Sequence, residues 1–473
     1  MTRTTPTGRT TPVGQTTPTG FVETHDVGGS EQLNPLARRF LTRLTAVTAG
    51  GMFIDGYVFA VIGVTLALPL FHRELGTTPF WEGMISSSTL VGIFVGGLVF
   101  GWLTDRYGRR PLFVADLIAF VGAGVLLFFV QEPWQMFVLG LVMGLAVGAD
   151  YAIGTPLLSE FSPRSARGRL GASLQIAWNI GYVVAFLIGF LVTAANPGAW
   201  RWVLLSAALP AVICLVARHG LPESPRWLLA KGRVDEARAV LERLGWSLES
   251  GDFTEEQSDT SDRFALFRRG QLGRTVFVSV FWICLVMPYF AIIFFQSRVY
   301  ETLGIDGPIL TALLGTIVAL AGVVVGTLVV DRVGRRPLLI VPFWVTGAAL
   351  AIVTFAHLLP AAVIVTCFFV YLFSYGVASI LCGVYPMELF PTAIRTTGVG
   401  FASAMSRIGA AVGTFAFPVV LAWSVPVAMA VMAGVCVLGA VVALVYAPET
   451  AGRSLTDVAT GSLGVRRAPA RTR

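Results

Sequence analysis

The hydrophobic positions of this chain fall in long, continuous runs that short polar loops separate. A helix that crosses a bilayer needs about 20 apolar residues. A membrane β-barrel shows alternating segments of about 10 residues instead, so continuous runs indicate helices. We therefore predict twelve transmembrane spans, near 42–68, 83–103, 111–130, 134–157, 169–193, 201–217, 275–297, 309–330, 337–357, 361–386, 397–422 and 425–446.

Composition agrees with this pattern, because 55% of the 473 residues are hydrophobic and only 13% are charged. Soluble chains carry roughly 25% charged residues. The arginines are concentrated in alternate loops, at Arg38, Arg39, Arg43, Arg106, Arg109, Arg110, Arg164, Arg167, Arg169, Arg332, Arg335, Arg336 and Arg395. Loops rich in Lys and Arg face the cytoplasm. This predicts a multi-pass protein of the plasma (inner) membrane with both termini in the cytoplasm.

The net charge of +7 is therefore explained by topology, and we expect no nucleic-acid partner. The expected partners are the lipid bilayer and a small-molecule substrate, and we expect the chain to act as a monomer. All five cysteines lie in apolar spans and the four histidines are scattered, so the sequence predicts neither disulfides nor a metal site. It contains no P-loop, which argues against ATP as the energy source. We expect no cofactor and no enzymatic activity.

Three charged motifs of the first half recur in the second half, in the same order. Asp-Arg-Tyr-Gly-Arg-Arg-Pro at 105–111 recurs as Asp-Arg-Val-Gly-Arg-Arg-Pro at 331–337, an offset of 226 residues. The Glu-x-x-Pro-x-x-x-Arg motif at 160–167 recurs at 388–395, and Pro-Glu-Ser at 222–224 recurs as Pro-Glu-Thr at 448–450. Parallel repeats of this kind pack around an axis along the membrane normal, with the solute site at the midplane between them.

We therefore predict an all-α membrane protein with twelve transmembrane helices in two pseudo-symmetric six-helix bundles, at 37–217 and 273–447. A disordered cytoplasmic tail is expected at 1–36, where Thr, Pro and Gly dominate. A cytoplasmic helical linker is expected at 218–272. In it, Ser224 and Pro225 suit the cap and first position of a helix, and a second helix runs from Val234 to Leu244. A cytoplasmic tail is expected at 448–473.

The motifs resemble those of the major facilitator superfamily, whose signature is the Gly-x-Leu-x-Asp-Arg-x-Gly-Arg-Arg loop found here at 101–110. The Glu-x-x-Pro-x-x-x-Arg loops, the Pro-Glu-Ser-Pro-Arg-Trp-Leu segment at 222–228 and the terminal Pro-Glu-Thr resemble its sugar-porter branch. The segments at 55–57, 148–151 and 406–409 look more like the related metabolite:proton, phosphate and organic-ion symporters. The resemblance covers residues 40–455 and implies alternating access by rocking of two six-helix bundles.

Three aspartates lie within predicted spans of the first half. An ionisable group at this depth costs at least ~2.5–3.5 kcal/mol on insertion scales, so it is functional or paired by default. Asp55, near the middle of span one, is the leading candidate for a proton-coupling carboxylate, and a structural ion pair is the alternative. Asp150 in span four is either a second proton-coupling or substrate-binding carboxylate or the partner of an arginine. Asp116, near the start of span three, is interpreted as structural.

Arg407 lies deep in span eleven and cannot release its charge, so it must meet an anion or a dipole. Its partner is either one of the aspartates across the bundle interface or an anionic substrate. In the related organic-anion and phosphate carriers a cation occupies this place, which implies an acidic substrate.

Polar and aromatic faces supply the remaining candidates for substrate binding. Gln175, Trp178, Asn179 and Tyr182 fall on one face of span five, and Trp282 and Tyr289 repeat at seven residues in span seven. Span ten carries a tyrosine stripe that ends at Tyr385. Tyr and Trp combine a flat apolar surface with a hydrogen-bond donor, which suits sugar rings and aromatic acids. Packing and interhelical hydrogen bonds are the alternatives.

The charged loops are predicted to form a cytoplasmic gate that closes when the protein opens outward. Acidic residues there suit helix N-termini and can pair with arginines of the other bundle. The predicted gating residues are Asp105, Arg106, Arg109, Arg110, Glu160, Arg167, Glu223, Arg226, Asp331, Arg332, Arg335, Arg336, Glu388, Arg395 and Glu449.

Together these features predict a secondary active transporter that imports a small polar metabolite with a proton. The metabolite is a sugar, a sugar acid or an organic acid, and the proton gradient is the energy source. Drug:proton antiport is an alternative, although 181–189 in span five lacks the proline typical of drug exporters. An uncoupled facilitator is a second alternative. A transporter-like receptor is a third, but the linker is too short for a signalling domain.

Overall fold

The computed structural model describes residues 35–161, 167–244, 265–391 and 394–451, which are helical with no strand. The α-helices are α1 (Pro35–Leu66), α2 (Pro69–Leu75), α3 (Pro79–Tyr107), α4 (Arg109–Leu127), α5 (Pro133–Phe161), α6 (Arg167–Ala195), α7 (Trp200–Leu205), α8 (Ala208–Arg218), α9 (Pro225–Ala230), α10 (Val234–Leu244), α11 (Arg269–Thr302), α12 (Pro308–Val333), α13 (Arg335–Val353), α14 (Ala361–Ser379), α15 (Leu381–Leu389), α16 (Arg395–Trp423) and α17 (Val425–Tyr446).

Twelve helical segments are long and apolar enough to cross a membrane, and they coincide with the twelve predicted spans. Two spans are interrupted. Span six divides into α7 and α8, because Pro210 has no N–H to donate to the carbonyl of Ser206 one turn earlier. Span ten divides into α14 and α15 at Ile380. Residues 1–34 of the tail predicted at 1–36 and residues 452–473 of the tail predicted at 448–473 lie outside the described residues, as do residues 252–262 of the predicted linker.

Helix packing repeats between the two halves of the chain. In the first half α1 packs on α6, α3 on α5, and α4 on α8; in the second half α11 packs on α16, α12 on α14, and α13 on α17. The halves meet through α3 with α16, α6 with α12, and α1 with α11. The same pairs of spans therefore pack in each half, as expected for two parallel repeats.

The repeated arginine loops also share one geometry. Gly108 and Gly334 each have a positive φ, 96° and 94°, where α3 gives way to α4 and α12 to α13. In each case a glutamate lies where a Cβ would be, Glu223 against Gly108 and Glu449 against Gly334. Glycine is required at both positions for two reasons. The positive φ is unfavourable for other residues, and a Cβ would overlap the neighbouring carboxylate. We call the end of the bundle that carries these loops the arginine end.

The part of the linker that the structure describes contains both predicted helices. The Ser224 hydroxyl accepts from the backbone N–H of Trp227 at 3.3 Å, with Pro225 as the first residue of α9, and α10 spans Val234–Leu244. One boundary was wrong. Arg218 was assigned to the linker, but it is the last residue of α8 and is only 2% exposed. Its guanidinium is buried because carboxylates of two other helices surround it, as described below.

The halves touch in the middle of the bundle and at the end opposite the arginine loops, which we call the far end. In the middle, the Tyr182 hydroxyl donates to the carbonyl of Ile293 at 3.2 Å, and Phe59 packs on Phe290 at 5.2 Å between ring centroids. At the far end, the Phe80 and Phe415 rings meet edge to face at 5.8 Å. The far end is therefore closed.

Within the first half, α1 and α6 approach at backbone distance. A Cβ on Gly56 would overlap the carbonyl oxygen of Trp178, and a Cβ on Gly181 would overlap that of Phe53. Small residues let membrane helices pack this closely, since lipid supplies no hydrophobic drive between them. The contact fixes Asp55, the residue before Gly56, relative to the polar face of α6.

We predict that Gly181→Ala destabilises the protein by about 1–3 kcal/mol, because the added methyl group forces α6 away from α1. The measurement is thermal unfolding of the purified protein in detergent. Gly122→Ala on α4 is the matched control, since a Cβ there meets no atom within 4 Å. Equal unfolding temperatures for the two variants would contradict the packing argument.

Candidate functional site

Asp55 lies in the central part of α1 and is fully buried. Neither carboxylate oxygen has a hydrogen-bond partner among the residues that the structure describes. Carboxylates in protein interiors are normally hydrogen-bonded, and an ionised one without partners is costly. Asp55 is therefore a buried ionisable group that needs a proton, a cation or water.

A buried ion cluster occupies the neighbouring space, and Arg218 is its centre. Its Nη1 donates to both Asp116 oxygens at 2.9 Å and to the Phe113 carbonyl at 2.6 Å. Its Nη2 donates to Oδ1 of Asp150. The guanidinium also lies over the Phe113 ring, 3.5 Å from its centroid. One cation thus joins α4, α5 and α8.

In this cluster Asp116 and Asp150 both pair with Arg218. These are the contacts expected if Asp116 is structural and if Asp150 is the partner of an arginine. Sequence reasoning missed Arg218 itself. The signal was present, since two aspartates in apolar spans require a cation and Arg218 follows the sixth apolar run directly. Proton coupling through Asp150 stays a prediction.

Gly51 connects the ion cluster to Asp55. It lies one turn before Asp55 on α1, and a Cβ there would overlap Oδ2 of Asp150 and approach Nη2 of Arg218. That Asp150 oxygen has no partner in the described residues. Asp55 interacts electrostatically with the whole cluster and with Arg407. The five groups are three carboxylates and two guanidinium groups, so full ionisation leaves one negative charge in excess.

Arg407 reaches across from the second half towards the first. Its guanidinium lies over the rings of Tyr151 on α5 and Phe290 on α11, 5.6 Å and 5.8 Å from their centroids. Its Nε has no hydrogen-bond partner in the described part of the chain. Stacking on aromatic rings is a favourable way to hold a guanidinium. It leaves the hydrogen-bonding edge available to an anion.

Aromatic side chains complete this region. Trp178 stacks on Tyr182 with ring centroids 5.6 Å apart and also contacts Phe59 and Phe290. Tyr289 and Tyr375 stack at 3.7 Å with rings 7° from parallel. Of the predicted residues, the structure therefore brings Trp178, Tyr289 and Arg407 together around Phe290, and Tyr182 stacks on Trp178.

Other predicted substrate residues take different places. The Asn179 amide donates to the carbonyl of Gln175 one turn earlier at 2.9 Å, so its hydrogen bond lies within its own helix. The Gln175 side chain is half-buried. Trp282 is buried on α11, two turns before Tyr289. Tyr385 lies at the arginine end, where its hydroxyl donates to the Pro448 carbonyl at 2.5 Å. The break between α14 and α15 removes it from the stripe expected of one continuous helix.

In the predicted gate, two glutamates bind helix N-termini in the same way. Glu223 accepts from the backbone N–H groups of Arg109 at 2.9 Å and Arg110 at 3.1 Å. Glu449 accepts from those of Arg335 and Arg336 at the same two distances. A carboxylate at the N-terminus of a helix is stabilised by the free N–H groups and by the helix dipole. These contacts fasten the linker to α4 and the C-terminal segment to α13.

The arginine side chains add further contacts at this end. The Arg335 guanidinium pairs with Glu388 at 2.9 Å and with Asp331 at 3.1 Å, and Thr450 donates to Glu388 at 2.5 Å. The Trp227 indole donates to the Asp105 carbonyl at 3.1 Å. Arg106 lies 5.7 Å from the Trp102 and Tyr107 rings, Arg395 donates to the Phe390 carbonyl at 3.3 Å, and Arg332 is exposed.

The side chains of Glu160 and Arg167 lie outside the described part of the structure. Arg226, in the first turn of α9, makes a contact of its own at this end. The contacts given above with their distances join residues within one half, or join one half to the segment that follows it in the chain. A gating role for these residues stays a prediction. In the described residues, no group of three or more His, Cys, Asp or Glu side chains is arranged to hold a metal ion.

Comparison with known proteins agrees with a transporter built from two helical bundles. The sequence model of the sugar (and other) transporter family matches residues 44–461. The chain is 38% identical to the inner membrane metabolite transport protein YgcS of Escherichia coli K12, over 90% of this chain and 95% of that protein. It is 37% identical to the putative metabolite transport protein YaaU of the same organism, over 86% and 92%.

Among solved structures, the fold is similar to that of the major facilitator superfamily proton:xylose symporter XylE bound to 6-bromo-6-deoxy-D-glucose. The TM-score is 0.71 at 22% identity, over 89% of this chain and 98% of that one. For the inward-open conformation of XylE from E. coli the TM-score is 0.74 at 21% identity, over 88% and 99%.

The fold and these likenesses define a membrane transport protein, not an enzyme. The chain belongs to the sugar (and other) transporter family, and its fold is that of the major facilitator superfamily. The predicted fold class and family resemblance are confirmed, and the chain is a multi-pass protein of the plasma membrane.

We predict that Arg218→Met prevents accumulation of folded protein, because it leaves Asp116 and Asp150 buried without a cation. Breaking a buried pair in this way costs about 3–5 kcal/mol. Combining Arg218→Met with Asp116→Asn and Asp150→Asn removes the uncompensated charges and restores folded protein. The measurement is the yield and thermal stability of monodisperse protein in detergent. A single variant as stable as the parent, or a triple variant no better than the single one, would contradict this account.

Proposed function

We propose that this chain imports a small polar metabolite together with a proton by alternating access. The observation that carries the proposal is Asp55, a fully buried carboxylate without a hydrogen-bond partner in the described residues, next to a charge cluster with one acid in excess. Arginine does not give up its proton, so a proton on a carboxylate restores neutrality. Asp55 is the leading proton-coupling residue because neither of its oxygens has a hydrogen-bond partner in the described residues, and Asp150 is the second candidate.

The substrate region of the proposal lies around Arg407 and the neighbouring rings. A guanidinium that stacks on Tyr151 and Phe290 presents N–H donors for a planar anion. Trp178, Tyr182 and Tyr289 supply flat apolar surfaces that suit sugar rings. A sugar, a sugar acid or an organic acid fits this combination, and the acidic substrates are favoured because they pair with Arg407. XylE, the similar solved structure, is a proton:xylose symporter.

Topology gives the proposal its direction. Loops rich in arginine face the cytoplasm, so the arginine end and both termini are placed inside and the far end outside. The far end is closed in this structure, and we propose that the transport cycle alternates this arrangement with one in which the far end is open. The arginine-end residues would form the inner gate in the opposite state, and we propose that the protein works as a monomer.

We predict that Asp55→Asn keeps substrate exchange but abolishes proton-driven accumulation, because the amide cannot take up or release the proton. The measurement is uptake into proteoliposomes with an inward proton gradient, beside counterflow without a gradient. Asp306→Asn, in an exposed loop, is the control and accumulates substrate normally.

The same assay separates the alternatives. Undiminished accumulation by Asp55→Asn excludes its coupling role. A parent protein that is insensitive to the gradient is an uncoupled facilitator. A parent protein that accumulates substrate only with an outward gradient is an antiporter.

We predict that Arg407→Gln weakens binding of a sugar acid by about 10- to 100-fold, the loss of a hydrogen bond to a charged group. Binding of the neutral sugar with the same carbon skeleton is weakened much less. The measurement is a titration by thermal shift on purified protein, after a metabolite screen has identified the acid. Equal losses for the acid and the neutral sugar would show that Arg407 does not recognise a carboxylate.

A further inference from the structure

A charged contact joins the two halves at the far end. Glu82, in the first turn of α3, is 2% exposed although it is acidic. Its Oε2 accepts from Nη1 of Arg298, on the last turns of α11. Its Oε1 lies 3.4 Å from Nδ1 of His72 on α2. Glu82 and His72 belong to the first half and Arg298 to the second, so the ion pair spans the interface.

The surroundings hold Glu82 in place. His72 is fixed by contacts with the Leu66 carbonyl at 2.8 Å and the Thr77 hydroxyl at 2.6 Å. A carboxylate near the start of α3 is also favoured by the helix dipole. The pair borders a cavity of about 370 Å³ that Glu301 of α11 also lines. The Arg298 side chain keeps 28% exposure, so it lies at the rim while Glu82 lies beneath it.

Phenylalanine and glycine residues supply apolar and backbone contacts between the halves at this end. Phe80 meets Phe415, a Cβ on Gly83 would overlap the Phe415 carbonyl, and Gly63 packs on the backbone of Phe294. Apolar burial is non-directional, whereas a buried charge is costly to leave without its partner, so the ion pair adds a specific contact to this packing. When the two halves separate at the far end, the ion pair breaks and water solvates Glu82 and Arg298 separately.

We propose that Glu82 and Arg298 form a latch that holds the far end closed during transport, and that they are positioning residues of the transport cycle outside the substrate site. The proposal rests on the proposed orientation, which places the far end outside. It does not depend on proton coupling or on the identity of the substrate. Loss of the latch shifts the equilibrium towards the outward-open state, because it removes an interaction made only in the closed state.

Ser297 provides a reporter position for the test. It is 3% exposed and lies one turn beyond Ile293 and Phe294, on the face of α11 that packs on Gly63 of α1. Opening of the far end exposes this face. Ser297→Cys differs from the parent by one atom, and a membrane-impermeant thiol reagent added to right-side-out vesicles then measures opening. The parent chain without this substitution gives the background from the five native cysteines.

In the Ser297→Cys background, Glu82→Gln and Arg298→Gln are each expected to increase the labelling rate about fivefold or more. The double variant is expected to label no faster than either single variant, because both substitutions remove the same interaction. Glu74→Gln is the matched control. It breaks the Glu74–Arg201 ion pair of 2.6 Å, which lies within the first half at the same end, and is expected to leave labelling unchanged.

Three results overturn the latch. One is labelling of Glu82→Gln at the rate of Ser297→Cys alone in both vesicle types, another is an equal increase with Glu74→Gln, and the third is a double variant in which the two effects multiply. Inside-out vesicles separate this failure from that of the proposed orientation. An increase seen only there overturns the outer placement, whereas unchanged labelling in both vesicle types overturns the latch and leaves the transport proposal intact.

Discussion

The first half of this protein depends on one buried guanidinium, that of Arg218. Arg218 binds Asp116 of α4 and Asp150 of α5 from the end of α8. In an apolar interior it costs free energy to bury any one of these charges alone. Their mutual attraction offsets that cost only while all three groups keep their hydrogen-bonding geometry. Because Gly51 has no side chain, α1 can pack close to this cluster. Asp55 therefore lies in the electric field of charges that are already fixed in place.

The scaffold repeats between the halves, but this site does not. The two glutamates on helix N-termini occur in both halves with matching distances. The positions 226 residues after Asp55, Asp116, Asp150 and Arg218 hold Phe281, Pro342, Gly376 and Leu444, none of which is ionisable. The second half therefore offers Arg407 and aromatic surfaces to a charge cluster that belongs to the first. In the proposed alternating access, symmetric rocking of the two halves would change the environment of one asymmetric site.

Local patterns in the sequence were sufficient for the twelve spans and for the Ser224 cap, because each depends on neighbouring residues. The partners of buried charges depend on distant ones. Arg218 lies 68 residues from Asp150 and 102 from Asp116, so only the fold shows that they meet. Glu82 and Arg298 were missed for another reason. They lie at the end with few basic residues, whereas the arginine pattern directed the search for a gate to the opposite end.

Charge balance gives the proposed symport a physical basis. A substrate carboxylate bound by Arg407 neutralises one of the two guanidinium groups that face the three aspartates, which strengthens the excess of negative charge around Asp55. A proton on Asp55 becomes more favourable when the acid is bound, and by reciprocity the acid binds better when Asp55 is protonated. Proton and anion then enter together and leave together, and the loaded site carries the same net charge as the empty, unprotonated site. A neutral sugar would leave Arg407 unchanged and couple less strongly, so the charge of the substrate sets the strength of coupling.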